Sequence, residues 1–262
     1  MNIIDHIKAA GYPLSESSII HAFVGGSNLH GAKTEGYDDL DIYGCYIEPQ
    51  SYILGLTPMQ HFVWSSSSDA VKNSANDVDV TMYSLQRWGE LMLKGNPAIL
   101  HYLFASDVEC HTQDTWRVFI QPMLNGLVTK KSAKQYLGFA NSQRMRLTGE
   151  KGMGRHGQRP DLIEKFGYDT KFAMHYIRLL YECRELLMDR CLTFPRPEKS
   201  VLIDIRQGKF TQDEVFALGK ELLAECEDQM KITYLPDEID VNRLSRRIAD
   251  AYMYHWHQLT KG

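Results

Sequence analysis

No apolar run in this 262-residue chain approaches the length needed to cross a bilayer, which removes a transmembrane reading. The opening stretch, MNIIDHIKAAGYPL, lacks the basic start and apolar core of a secretory signal, so a cytoplasmic location is expected. Cysteine is sparse: five residues, at 45, 110, 183, 191 and 226, an odd number with no C-x-x-C spacing. That pattern argues against a disulfide framework or a thiolate zinc site and for reduced thiols. Internal repeats are absent, and aromatic residues interleave too thinly with the basic ones to suggest a recognised RNA-binding module. Cations are scarce at the front. Residues 1–125 hold 6 Lys/Arg against 14 Asp/Glu, whereas residues 130–178 hold 11 against 4. An acidic front beside a basic middle suits a metal–carboxylate site next to a polyanion site, although a biased solvated surface gives the same counts.

The hydrophobic patterning implies an α+β fold, with a small mixed-sheet domain over residues 1–108 and a helical domain over 109–262. Ile3–Ala10 reads as a helix ending at Gly11. Ser18–Val24, Leu40–Glu48, His61–Trp64 and Asp77–Leu85 read as strands, being apolar or alternating and bounded by glycine, proline or polar runs. Ser65–Asn76 reads as a loop. A helix from Leu85 ends at Gly95, and another starts at Asn96 with Pro97 in its first turn. From Asp114 onward the pattern is helical, apart from 149–160 and 195–210. Thr211 and Glu214 form a capping box, and Asn242–Leu259 is a final amphipathic helix.

The chemistry concentrates between Phe23 and Pro49. Gly25, Gly26 and Ser27 follow a strand directly. Glycine there lets the backbone approach a phosphate closely, and a helix N-terminus supplies unpaired N–H groups; a plain turn is the alternative. Asp38, Asp39 and Asp41 then crowd the mouth of the next strand. Strand side chains alternate, so Asp39 and Asp41 share a face, and two unpaired carboxylates there repel one another. A hard divalent cation relieves that repulsion, and Mg²⁺ is commonly held by one or two carboxylates together with substrate phosphates. Asp77 and Asp79 offer a further carboxylate on another strand. Asp79, set further into the apolar stretch, is the preferred one.

These strings, GGSNLHG, DDLDIYG and DVDV, resemble the nucleotidyltransferases of the DNA polymerase β superfamily, whose signature is Gly-Ser after a strand, an Asp-x-Asp pair on the next and a third Asp later. TMYSLQRWGELMLKGNPAILHYLF and GYDTKFAMHYIRLL resemble the branch called the RNA repair pathway DNA polymerase β family, and the likeness covers most of residues 20–190. Asp38 departs from it, since relatives often carry a small residue before the Asp pair. The resemblance implies a polymerase β-like palm and transfer of a nucleoside monophosphate from an NTP such as ATP to an acceptor hydroxyl, with release of pyrophosphate. It implies two Mg²⁺ ions, with Mn²⁺ as a substitute, held by Asp39, Asp41 and Asp79. Gly25, Gly26 and Ser27 would hold the triphosphate. The acceptor it implies is an RNA end, from tRNA or a broken RNA; a protein side chain and a non-catalytic nucleotide-binding module are the alternatives.

Three further sets join the site by expectation. Lys171, His175 and Arg178 fall at i, i+4 and i+7, one cationic stripe suited to triphosphate oxygens, with Asp169 as N-cap of their helix. Arg144, Arg146, Lys151, Arg155 and Arg159, with His156, form a Gly-rich basic region suited to an RNA backbone or to nothing more than a surface loop. His255 and His257, two apart, cannot share a helix face, so packing rather than zinc binding is expected there.

Overall fold

The computed structural model of the chain describes residues 2–33, 39–67, 77–105, 109–150 and 158–260. Helix α1 (Ile3–Ala9) starts from a capping box in which Asn2 and Asp5 each accept the other's backbone N–H. Strand β1 (Ile19–Val24) is buried along its length and stops at Gly25. A helix of one and a half turns, α2 (Gly26–His30), follows and closes on Gly31 in the left-handed region. Then come β2 (Leu40–Tyr46), α3 (Gln50–Leu54), β3 (His61–Ser65) and β4 (Val78–Ser84). Ser84 and Asn96 cap α4 (Leu85–Leu93) and α5 (Pro97–Phe104), and Gly95 turns between them at a φ of 70°. A three-residue strand, β5 (Cys110–Thr112), had no alternating run long enough to announce it. The rest is helical: α6 (Asp114–Phe119), α7 (Leu124–Leu127), α8 (Lys130–Leu147), α9 (Pro160–Phe166), α10 (Thr170–Asp189), α11 (Lys199–Arg206), α12 (Gln212–Ile232) and α13 (Val241–Leu259). The fold is α+β, and no helix among the described residues is long and apolar enough to cross a membrane.

The sheet runs β3-β4-β2-β1-β5, with β2 and β4 parallel and the other pairs antiparallel. Its two faces follow from the period-2 geometry of a strand. Even-numbered residues of β2 and β4 (Ile42, Tyr46, Val80 and Met82) pack with Ile3, Ile4 and Ile7 of α1 in a small core. Odd-numbered residues of β2 face the other way: Tyr43 and Cys45 join a larger core built with the helices. Asp39 and Asp41 lie on this same odd register.

At the centre of the larger core is α10. Phe172, Ala173, Ile177, Leu180, Cys183 and Leu186 are all buried, and the helix packs against α8, α11 and α12. Burial of each large apolar side chain contributes roughly 2 kcal/mol. Such all-round burial explains why α10 holds a fixed position over the sheet. The last helix returns to the first strands. Tyr252 donates to the Glu48 carboxylate at 2.8 Å, and the Trp256 indole N–H donates to the Glu48 carbonyl at 3.0 Å. His255 is buried beside Thr115, as packing required, while His257 lies on another face.

Candidate active site

Three local features bring the candidate carboxylates together. Because β2 and β4 are parallel and in register, Asp41 stands directly beside Asp79, and Leu40 N–H binds the Asp77 carbonyl at 2.7 Å. Asp39 precedes Asp41 by two, on the same face. The turn after β1 is then tied to this edge. Gly25 N–H donates to the Asp41 carbonyl at 2.8 Å, and the Asn28 amide donates to the Asp39 carbonyl at 3.3 Å. Gly26 has a φ of 56°, and a Cβ there would fall on the Asp41 carboxylate. A Cβ on Gly25 would fall on the Tyr43 ring. Both glycines are therefore required by close approach rather than by turn geometry alone. The Ser27 hydroxyl oxygen is buried and has no hydrogen-bond partner among the described residues.

Burial and like charge dominate the electrostatics at this edge. The Asp41 carboxyl is pushed up to about 6, first by burial, then by Asp39 and Asp79; Lys171 opposes the shift. The order of exposure reverses the expectation for the later pair: Asp79 is exposed and Asp77 is buried at 9%. Asp79 lies opposite both Asp41 and Ser65, on the open side of the carboxylate cluster. Carboxylate oxygens are the donor type a hard divalent cation takes, although the ligand atoms of these three do not form a group within 4.8 Å of one another.

The cationic stripe faces this cluster. Lys171 is pulled down chiefly by burial, then by Arg159 and Arg206, while Asp39 and Asp41 push it back up. His175 is half-buried and held neutral by desolvation of its ring and by Arg178, Lys171, Arg159 and Arg206 around it. Its Nδ1 and the Arg178 Nε are buried without partners among the described residues. Arg178 lies close enough to Tyr43 to oppose the rise in that phenol's pKa. Asp169 caps α10 as expected, accepting from Lys171 N–H and Phe172 N–H, and it also binds Arg159 through both backbone and guanidinium. Arg159 thus sits at the first turn of α10, its guanidinium 5.2 Å from the Phe172 ring centre. Arg146 stacks on the same ring at 5.8 Å, while Arg144 turns to Asn141 and Glu150. Lys151, Arg155, His156 and Asp38 lie outside the described residues.

The model of the RNA repair pathway DNA polymerase beta family matches residues 5–250. The chain belongs to that family. A protein of Enterobacteria phage T4, described as an uncharacterized 38.9 kDa protein in the nrdC-mobD intergenic region, is 28% identical over 121 residues. That match covers 45% of this chain and 35% of the phage protein. The crystal structure of a nucleotidyltransferase-like protein from Exiguobacterium sibiricum is 12% identical at a TM-score of 0.30, over 87% of this chain and 72% of that one. Membership of the family places the chain in the polymerase β superfamily.

Two features of this family member escaped the sequence reading. Arg206, on α11, donates to the Thr170 hydroxyl at 3.1 Å and adds its charge to the first turn of α10. His30, His101 and Glu182 converge from α2, α5 and α10, with one ligand-type atom from each within 4.8 Å of the others. Only Glu182 left a trace in the sequence, four residues after Arg178 on one helix face.

Proposed function

We propose that the chain transfers a nucleoside monophosphate from an NTP to an acceptor hydroxyl, most directly that of an RNA end, and releases pyrophosphate. The observation that carries this reading is the register of Asp41 against Asp79, with Asp39 on the same face and Lys171 opposite. Repelling oxygen donors on one wall and cations on the other fit a metal–polyphosphate and little else of that size.

The donor set suits two Mg²⁺ ions or Mn²⁺, held by Asp39, Asp41 and Asp79. Bound there, the ions would supply Lewis-acid stabilisation of charge on the phosphoryl oxygens. The chain's own groups do the rest. Gly25 and Gly26 let the turn lie against Tyr43 and Asp41, and Ser27 Oγ, buried without a partner among the described residues, donates to a phosphate oxygen. Lys171 neutralises phosphate charge, while Arg178, its own charge balanced by Glu182, offers N–H donors to the phosphates, with His175 as a neutral donor. Asp79, exposed at the open side, accepts the proton of the attacking hydroxyl on a carboxylate oxygen. The new bond joins the acceptor oxygen to the α-phosphorus, and the α–β phosphoanhydride bond breaks. Arg146 and Arg159, stacked on Phe172, extend the cationic surface toward an RNA backbone. The family description favours RNA over a protein side chain as acceptor.

The test is label transfer from each of the four α-labelled NTPs with Mg²⁺, offered a small-RNA pool and separately a protein lysate, with Asp39→Ala/Asp41→Ala as control. Label in RNA, absent from the control, is the expected result. Label in protein alone moves the acceptor to a side chain. Labelled RNA from the control at the wild-type rate refutes the site.

A further inference from the structure

Glu182 is fully buried, yet it carries the charge nearest to Arg178. Its Oε1 accepts from Arg178 Nη1 at 2.7 Å. His30 Nδ1 stands 3.3 Å from the same oxygen, and His101 Nε2 stands 3.5 Å from Oε2. Burial raises the carboxyl, but Arg178 and His101 outweigh it and keep Glu182 ionised. His30 is held neutral by burial and by Arg178.

The three ligand-type atoms match a metal site in spacing, so the charge count has to decide. Arg178 already neutralises Glu182. A divalent ion added there would leave two uncompensated positive charges in a buried place, which is strongly unfavourable. The His30 and His101 rings stand beside this carboxylate from α2 and α5, and Arg178 already supplies its counter-charge.

Position gives the cluster a use. His30 is the last residue of α2, the helix that begins with Gly26 and Ser27. Its carbonyl accepts from Arg196 N–H at 3.1 Å, and its ring packs edge-on against His101 and Phe194. Arg178 lies two turns along α10 from Lys171, near Tyr43 of β2. Glu182 therefore touches both halves of the nucleotide cleft without lining it.

We infer that Glu182 is a positioning residue: through Arg178 and His30 it locks the cationic face of α10 and the glycine turn of α2 into one arrangement. Both then address the same polyphosphate. This inference rests on the nucleotidyltransferase reading above.

The experiment is a double-mutant cycle in nucleotide affinity. Binding of ATP, CTP, GTP and UTP to the full chain is measured by equilibrium dialysis, with Ca²⁺ replacing Mg²⁺ to prevent turnover. Glu182→Gln and Arg178→Met are each expected to weaken the best-bound NTP on the order of tenfold, the scale of one charge-assisted contact. The double variant should lose no more than Arg178→Met alone, because Glu182 acts through Arg178. Full affinity in a folded Glu182→Gln, or losses that multiply in the double variant, overturns the inference and spares the parent reading. Failure of the wild type to bind any NTP overturns both. Stoichiometric zinc, iron or manganese in the purified protein, lost in His101→Phe, overturns the charge argument in favour of a metal site. Should Glu182→Gln not fold, His101→Gln and His101→Phe carry the same test. Gln keeps an N–H toward Glu182 and should keep affinity, whereas Phe should lose it; equal behaviour refutes the positioning role.

Discussion

Replacing Gly26 by alanine is expected to disable transfer while sparing the fold. Gly26 sits at a φ of 56°, which costs an L-residue about 1–2 kcal/mol. The larger effect is local. The added Cβ falls on the Asp41 carboxylate, so that carboxylate must swing out of its place beside Asp79. Displacing a reacting group by about 1 Å costs on the order of 100-fold in rate. The backbone strain alone lowers the melting temperature by roughly 2–8 °C in a chain of this size. Initial rates of pyrophosphate release, paired with a thermal melt, separate the two effects. Gly11→Ala supplies the control: its φ is 79° and its Cβ meets open space, far from the carboxylates. It should lose similar stability and keep its rate. A Gly26→Ala enzyme within threefold of the wild-type rate, with the melting loss present, refutes the claim that Asp41 must stand where Gly26 admits it.

Three other perturbations follow from the same contacts. His21 is buried against Trp116 at 4.6 Å, and burial pushes its pKa down to about 3. The unfolded chain takes up that proton near pH 6.5, so stability falls as pH drops from 6.5 toward 3, by about 2 kcal/mol at pH 5; His21→Phe should remove this share when denaturant unfolding at pH 7.5 and 5 is compared. Burial raises the Glu48 carboxyl, so its ionisation in the fold is resisted and stability declines as pH rises from the ordinary glutamate range through the raised value. Glu48→Gln should therefore raise the denaturation midpoint relative to wild type at pH 8, and a lower midpoint sinks the argument. Asp169→Ala removes the α10 cap and leaves Arg159 without its carboxylate, at a combined cost of about 3 kcal/mol. A melting temperature unchanged within 2 °C would contradict that.

The legible parts of this site are those set by short-range periodicity. Asp39 and Asp41 share a face because strands alternate, and Lys171, His175 and Arg178 share one because helices repeat near 3.6. Asp169 announced itself as a cap by standing before an amphipathic run. The missed parts depend on where distant segments meet. Glu182 sits on the same stripe, but its partners His30 and His101 come from helices 152 and 81 residues upstream. Arg206 reaches the site only because α11 packs across α10. β5, at three residues, is held by pairing to β1 rather than by any pattern of its own. Depth in an apolar stretch points to Asp79 over Asp77, yet Asp79 is the exposed one of the two. Its place in the cluster comes from the parallel register with β2, which no local pattern encodes.

Charge segregation along the chain acquires its meaning at this cleft. The acidic front supplies Asp39, Asp41 and Asp79 from the sheet, and the basic middle supplies Arg159, Lys171 and Arg178 from the helices. The two groups do not cancel. Lys171 lowers the Asp41 pKa and Asp41 raises that of Lys171, yet burial is the larger cause in both, and each remains shifted toward its neutral form. Neutralising only one wall would leave the other exposed to unrelieved like-charge repulsion in a partly dry site. A ligand that carries cations on one side and anionic oxygens on the other relieves both walls together. Metal and polyphosphate should accordingly bind with positive coupling, each raising the affinity for the other by the same factor. The metal-bound triphosphate of the proposed reaction is a ligand of that kind, and this coupling tests it.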